Sequence, residues 1–77
     1  MSKDKALSVF ENYVGKKYKK VKVLSVIEKK DRFLFEFCEE DDSFPVDYPI
    51  ISILKENGKT DELSFLSSDD RKIIYSK

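Results

Sequence analysis

Three phenylalanines at alternate positions, Phe33, Phe35 and Phe37, restrict the fold of this chain more than any other sequence feature. Side chains of a β-strand point alternately to its two faces, so these three rings line one face of an extended segment. Rings of this size on one face need a hydrophobic core to pack against. The pattern therefore predicts a strand over residues 32–38, whose other face carries Leu34, Glu36 and Cys38.

That core has to form without covalent or metal cross-links. The chain has 77 residues, enough for one domain that spans residues 1–77. Cys38 is the only cysteine and histidine is absent, so an intrachain disulfide is excluded and a structural zinc site lacks ligands. We expect no metal and no cofactor. A core this small leaves room for a partner or a second copy to add stability.

An amphipathic helix is predicted at the N-terminus, over residues 3–14. Ser2 is suited to cap its first turn, and Gly15 stands where helices commonly end in the left-handed conformation. Apolar residues recur at spacings of three and four, as one buried helix face requires. They are Ala6, Leu7, Phe10, Tyr13 and Val14.

Two β-hairpins are predicted after the helix. The β-branched run over residues 20–28 and the phenylalanine strand form the first, across a short polar turn. Strands over residues 48–55 and 59–66 form the second, because Asn57 and Gly58 between them tolerate the positive φ of a tight turn.

The register of the second hairpin depends on the length of its loop. A three-residue loop over residues 56–58 is preferred to a two-residue loop because it aligns apolar groups across the strands. It places Ile51 opposite Leu63 and Pro49 opposite Phe65.

The last eleven residues, 67–77, fit two structures. Ser67, Ser68, Asp69 and Asp70 are suited to start a helix, whereas the apolar residues that follow favour a short strand over residues 71–76, which we prefer. The fold class is therefore α+β, with one N-terminal helix packed on a four- to five-stranded antiparallel sheet made as a meander of two hairpins.

The charges are unevenly distributed along the chain. The formal net charge is zero, but residues 1–35 carry ten basic and four acidic side chains, and residues 36–77 carry five basic and eleven acidic ones. The lysine cluster consists of Lys16, Lys17, Lys19, Lys20 and Lys22 around Tyr18. Lysines bind phosphates and an aromatic ring stacks on bases, so this cluster is a candidate nucleic-acid patch. A solvated turn is the favoured interpretation, because nucleic-acid-binding modules usually carry a basic excess.

The acidic run, Glu39, Glu40, Asp41 and Asp42, is the second candidate site. The acidic run does not match a calcium-binding loop, because such loops place their oxygen ligands at alternating positions around a glycine. A surface that attracts a basic partner fits better, although solvated loops are commoner. Exposed aromatic residues beside charges are typical of binding hot spots, and packing of the loop onto the sheet is an equal alternative. The predicted contact set is the acidic run with Phe44, Asp47 and Tyr48.

Catalysis and membrane insertion are not expected from this sequence. Cys38 has no histidine to activate it, and no hydrolase, kinase or dinucleotide motif occurs. We therefore expect a protein that is not an enzyme. No apolar run has the length of a signal peptide or of a membrane span, so we also expect a cytoplasmic protein.

The span from Phe33 to Phe65 resembles the small immunity proteins of bacterial polymorphic-toxin systems that are built as a helix followed by a β-meander. The features that carry the resemblance are the aromatic strand Phe33-Leu34-Phe35, the segment Pro49-Ile50-Ile51-Ser52-Ile53, and the turn over residues 55–59 that closes on Gly58-Lys59. Members of that family bind and neutralise a toxin and are not enzymes. The resemblance implies an inhibitor of this kind, of bacterial or phage origin.

The leading expectation is thus a protein-binding module that occludes a partner, which has a basic surface in the simplest case. The alternative is a nucleic-acid-binding accessory protein that uses the lysine cluster. Homodimerisation through an open sheet edge is compatible with either.

Overall fold

The computed structural model describes residues 1–43 and 48–76. Its elements are α1 (Lys3–Val14), β1 (Val21–Glu28), β2 (Arg32–Glu39), β3 (Ile50–Leu54), β4 (Thr60–Leu63) and α2 (Ser68–Tyr75). The strands form one antiparallel sheet in the order β1-β2-β3-β4, so β1 and β4 are its edges. The predicted α+β class is confirmed, with the N-terminal helix and a four-stranded antiparallel sheet.

Helix α1 has the predicted bounds, but it does not end as predicted. Ser2 caps the first turn, since its Oγ accepts a hydrogen bond of 3.2 Å from the amide of Lys5. Gly15 lies in the right-handed region, with φ −62°. Its amide donates to the carbonyl of Glu11, and the amide of Tyr18 then donates to the carbonyl of Val14 at 2.8 Å. The chain leaves the helix through one more tight turn, so a left-handed residue is not required.

The phenylalanine face of β2 packs under α1, so the three rings belong to the core, as predicted. Phe10 of the helix stacks on Phe35 with 4.7 Å between ring centroids and meets Phe37 edge-on at 5.5 Å. The main core consists of buried residues from α1, β2 and β3, namely Ala6, Phe10, Val14, Phe33, Phe35, Phe37, Ile51 and Ile53.

The opposite face of the sheet is covered by α2, where the preferred prediction was a strand. Ser67 caps this helix by accepting from the amide of Asp70, and the carboxylate of Asp70 accepts from the amide of Ser64 at 2.9 Å. These two bonds start a helix and turn Ile74 onto the sheet. Four buried residues form this second core: Leu34, Ile50, Leu63 and Ile74.

The predicted register of the second hairpin is wrong by one residue. Leu63 pairs with Ile50, and Glu62 pairs with Ile51. The amide of Leu54 donates to the carbonyl of Lys59, so the loop covers residues 55–58 and is one residue longer than predicted. A shift by one residue moves every side chain of a strand to the other face. Leu63 therefore faces α2, β4 ends before the predicted pairing of Pro49 with Phe65, and Glu62 faces α1.

The edge strand β1 is interrupted by a β-bulge. Its pairing with β2 shifts between Val23 and Ser25, which leaves Leu24 as the extra residue. The bulge interrupts the alternation of side chains between the two faces of the sheet along β1. Within the described residues, neither helix has the length and apolar character needed to cross a bilayer.

Candidate binding surface

The two charged segments of the sequence meet at one end of the sheet, where β2 and β4 finish and β1 and β3 begin. Val21 pairs with Glu39, and the amide of Glu40 donates to the carbonyl of Lys20 at 3.1 Å. The lysine cluster and the acidic run are therefore neighbours in space. We call this the groove end of the sheet, because a groove opens there.

Three aromatic rings pack together at the groove end. Tyr18 meets Phe37 edge-on at 5.3 Å between ring centroids, and Tyr48 does so at 5.4 Å. Tyr18 and Tyr48 themselves lie 5.9 Å apart. One ring from each predicted site is thus held against the core, and both tyrosines stay partly exposed.

Tyr48 joins the acidic run to this aromatic cluster. Its hydroxyl donates a hydrogen bond of 2.6 Å to Oδ2 of Asp42. This bond, with the nearby negative charges of Asp42 and Glu39, raises the pKa of Tyr48 above its usual value. The acidic run is therefore anchored through a neutral phenol that remains protonated at physiological pH.

A groove of about 550 Å³ opens beside the tyrosines. This volume is within the range of small-ligand sites. Its lining combines aromatic and apolar walls with a few polar groups, from Tyr18, Tyr48, Pro49, Glu62, Ser64, Phe65 and Leu66.

Glu62 supplies a carboxylate to this lining and is held from the side of α1. Tyr13 donates to Oε2 of Glu62 at 2.5 Å, and Lys17 forms an ion pair with the same oxygen. These donors lower the pKa of Glu62, and the contacts with Glu62 and Tyr13 raise the pKa of Lys17 to about 12. One member of the lysine cluster is thus committed to a contact within the chain.

The wall formed by Phe65 and Leu66 continues into an exposed apolar patch. Leu66 is 94% exposed, and Tyr75 of α2 is 71% exposed with its ring 6.3 Å from that of Phe65. Scattered exposed apolar residues are normal, but a contiguous patch beside a groove is typical of an interaction site.

No known protein family, curated protein or solved structure matches the chain.

The predicted site residues are only partly brought together. Glu40 and Asp41 are exposed at the turn after β2, and Glu39 is half-buried at the end of that strand. Phe44 and Asp47 lie outside the described residues. Tyr48 packs on the aromatic cluster, as the packing alternative expected, and also lines the groove.

The lysine cluster does not form one continuous face. Lys22 pairs with Cys38 on the α2 side of the sheet, whereas Lys17 contacts Glu62 on the α1 side. Lys16, Lys19 and Lys20 are exposed at the turn between them. Cys38 is buried.

Sequence reasoning missed Phe65 and Leu66 as site residues. Both were assigned to a strand that in fact ends at Leu63. The available signal was the pair of large apolar residues directly before Ser67, the cap of α2. Two such residues in a turn before a helix have few core positions to occupy. In the described part of the chain, no group of three or more cysteine or acidic side chains is arranged to hold a metal ion.

Proposed function

We propose that this chain is a non-enzymatic protein-binding module that acts by covering a partner, and that the groove end is its contact surface. The observation that carries the proposal is the combination of Leu66, 94% exposed, with a groove whose walls are aromatic. Aromatic pockets with exposed apolar neighbours and a polar rim have the composition of interface hot spots.

The exposed charges at the rim of the groove favour a charged partner. Glu40 and Asp41 are exposed beside the groove end, and Asp42 binds the groove residue Tyr48 directly. Exposed carboxylates at the rim attract basic groups of a partner at short range and disfavour acidic competitors. The inhibitor or immunity-type role expected from the resemblance is a function of this class.

The nucleic-acid alternative has less support. Lys20 lies next to Glu40, and Lys17 is paired with Glu62, so phosphates approaching the cluster meet carboxylates as well. Nucleic acid is therefore an outcome of the test and not the proposal.

The test is site-specific photocrosslinking in cells of the native source. A photoreactive amino acid replaces Leu66, and the control carries it in place of Glu56, which is also exposed but lies in the loop at the other end of the sheet. We expect one dominant protein to crosslink from position 66 and not from position 56. Mass spectrometry identifies it.

The captured protein is then purified and titrated against two charge variants. One combines Glu40→Lys with Asp41→Lys, and the control combines Glu11→Lys with Glu56→Lys, which makes the same change in net charge at distant exposed positions. We expect the first to weaken binding roughly tenfold and the second to change it little. Equal effects, crosslinks to nucleic acid, or equal capture from both positions would contradict the proposal.

A further inference from the structure

None of the side chains that line the groove among the described residues carries a positive charge. Its lining holds a carboxylate on Glu62, a hydroxyl on Ser64 and the phenols of Tyr18 and Tyr48. No lysine or arginine is among the described residues that line it. Such a lining accepts hydrogen bonds and presents the negative faces of aromatic rings.

Glu62 retains an acceptor for a ligand. Tyr13 and Lys17 both contact Oε2, and no residue in the described part of the chain donates to Oε1. A carboxylate accepts bonds at both oxygens, and a guanidinium fork binds a carboxylate well.

The second charged contribution comes through Tyr48. Asp42 accepts the bond from its hydroxyl, so a negative charge lies at the hydroxyl end of the ring that lines the groove. Cations bind over tyrosine faces, and a neighbouring carboxylate adds to the attraction. The Tyr18 ring, 5.9 Å away from that of Tyr48, widens this aromatic surface.

We infer that the groove anchors an arginine side chain from a basic segment of the partner. Its methylene stem lies along Pro49, Phe65 and Leu66, and its guanidinium lies between the tyrosine rings and Glu62. Arginine fits better than lysine because its planar group stacks on rings and is more weakly hydrated. A purely apolar side chain fits worse, since it would cover Oε1 of Glu62 without giving that oxygen a donor. The inference rests on the proposed function and names the chemistry of its partner.

The test uses three capped tripeptides, each with glycine on both sides of a central arginine, citrulline or leucine. Each is titrated into the ¹⁵N-labelled full chain, and the amide shifts of Tyr18, Tyr48, Ser64 and Phe65 are followed. Citrulline has nearly the shape of arginine without its charge. We expect the arginine peptide to bind roughly tenfold more tightly than the citrulline peptide, as one cation–π contact with a nearby carboxylate predicts. Leucine binding as well as arginine, or no shift at these amides, would overturn the inference.

A matched pair of variants separates the site from general charge. Glu62→Gln removes the carboxylate in the groove, and Asp61→Asn removes an exposed one that pairs with Ser52 and so points to the opposite face. We expect Glu62→Gln to abolish the preference for arginine over citrulline and Asp61→Asn to keep it, with spectra elsewhere unchanged in both. An arginine preference that survives Glu62→Gln contradicts the site. Because the peptides need no knowledge of the partner, their failure leaves the crosslinking result standing, and the converse also holds.

Discussion

The amide of Glu40 donates to the carbonyl of Lys20, and this one bond places the most basic and the most acidic segments of the chain side by side. The excess of basic residues in the first half and of acidic residues in the second is therefore not separated into two poles. Opposite charges in such proximity largely cancel each other's field at distances greater than their separation. The surface at this end is a mixed one, which favours a protein partner over a polyanion.

Reversing the acidic turn is expected to strengthen binding to nucleic acid. Glu40→Lys with Asp41→Lys removes two of the four acidic neighbours of the lysine cluster and raises the net charge from zero. We expect duplex DNA affinity at low salt to rise at least about tenfold, with a steep salt dependence. Fluorescence anisotropy measures it. Glu11→Lys with Glu56→Lys has the same charge but spreads it, so an equal gain there would show that net charge alone is responsible.

Much of the fold was predictable because local sequence and tertiary packing agree there. The bounds of α1 follow from Ser2 and the spacing of its apolar face, and the alternation around Phe35 gives both the strand and its buried face. In each of these cases a short segment carries its own periodicity. No long-range information was needed.

The misses in α2, in the register of β4 and in the groove share a physical cause, since each depends on tertiary packing and not on local sequence. Ile73 and Ile74 are β-branched, so propensity favoured a strand, but the uncovered face of Leu34 stabilises a helix there. The register of β4 depends on the same helix. Leu63 opposite Ile50 is buried only because α2 covers that face of the sheet. The groove was hidden for the same reason, as its walls come from segments far apart in the sequence.

Truncation of a core residue is expected to cost much more stability than truncation of a residue in the exposed patch. Phe10→Ala removes a fully buried ring that stacks on Phe35, and it should cost about 3–5 kcal/mol. That is a large part of the roughly 4–12 kcal/mol typical of a domain of this size. Leu66→Ala, at an exposed position, should change stability by less than about 0.5 kcal/mol. Urea unfolding compares them, and a loss at Leu66 similar to that at Phe10 would mean that Leu66 is structural.

Helix α2 is expected to contribute to stability through one residue. Ile74 is buried against Leu34, Ile50 and Leu63, so Ile74→Ala should destabilise the fold by about 2–3 kcal/mol. Tyr75→Ala, next to it but exposed, should cost much less. The comparison is made by urea unfolding. The reverse order would mean that residues 68–75 do not pack as this helix.

The loop between β3 and β4 requires a residue that adopts positive φ. Gly58 has φ +73°, and a β-carbon there would lie 3.3 Å from Cε of Met1. The flexible methionine can move aside, so the backbone conformation dominates the cost. Gly58→Ala should destabilise by about 1 kcal/mol, and Gly58→Asn by less because asparagine tolerates this region. Thermal or urea unfolding tests the order, and equal losses would point to the contact with Met1 instead.

The contacts of Glu62 are expected to make stability depend on pH in a bell-shaped manner. Lys17 and Tyr13 donate to Glu62 and lower its pKa in the folded state. The contribution of Glu62 to stability is therefore complete at any pH above the pKa that Glu62 has in the unfolded chain. It is lost as the pH falls through the lower, folded-state pKa. On the alkaline side, these contacts raise the pKa of Lys17 to about 12 in the folded state. Their contribution to stability is therefore complete below the ordinary lysine pKa and is lost as the pH rises through the folded-state value of about 12.

Glu62→Gln should therefore be less stable than the native chain at pH 7, with the difference fading below about pH 4 and again at strongly alkaline pH. Urea midpoints measured across this range test the expectation. Tyr13→Phe is the matched control, because it removes one hydrogen bond but keeps the ion pair, and it should retain most of the acid dependence. A difference between Glu62→Gln and the native chain that stays constant down to pH 2 would assign the loss to packing of the side chain, and the ion pair with Lys17 would then add nothing to stability.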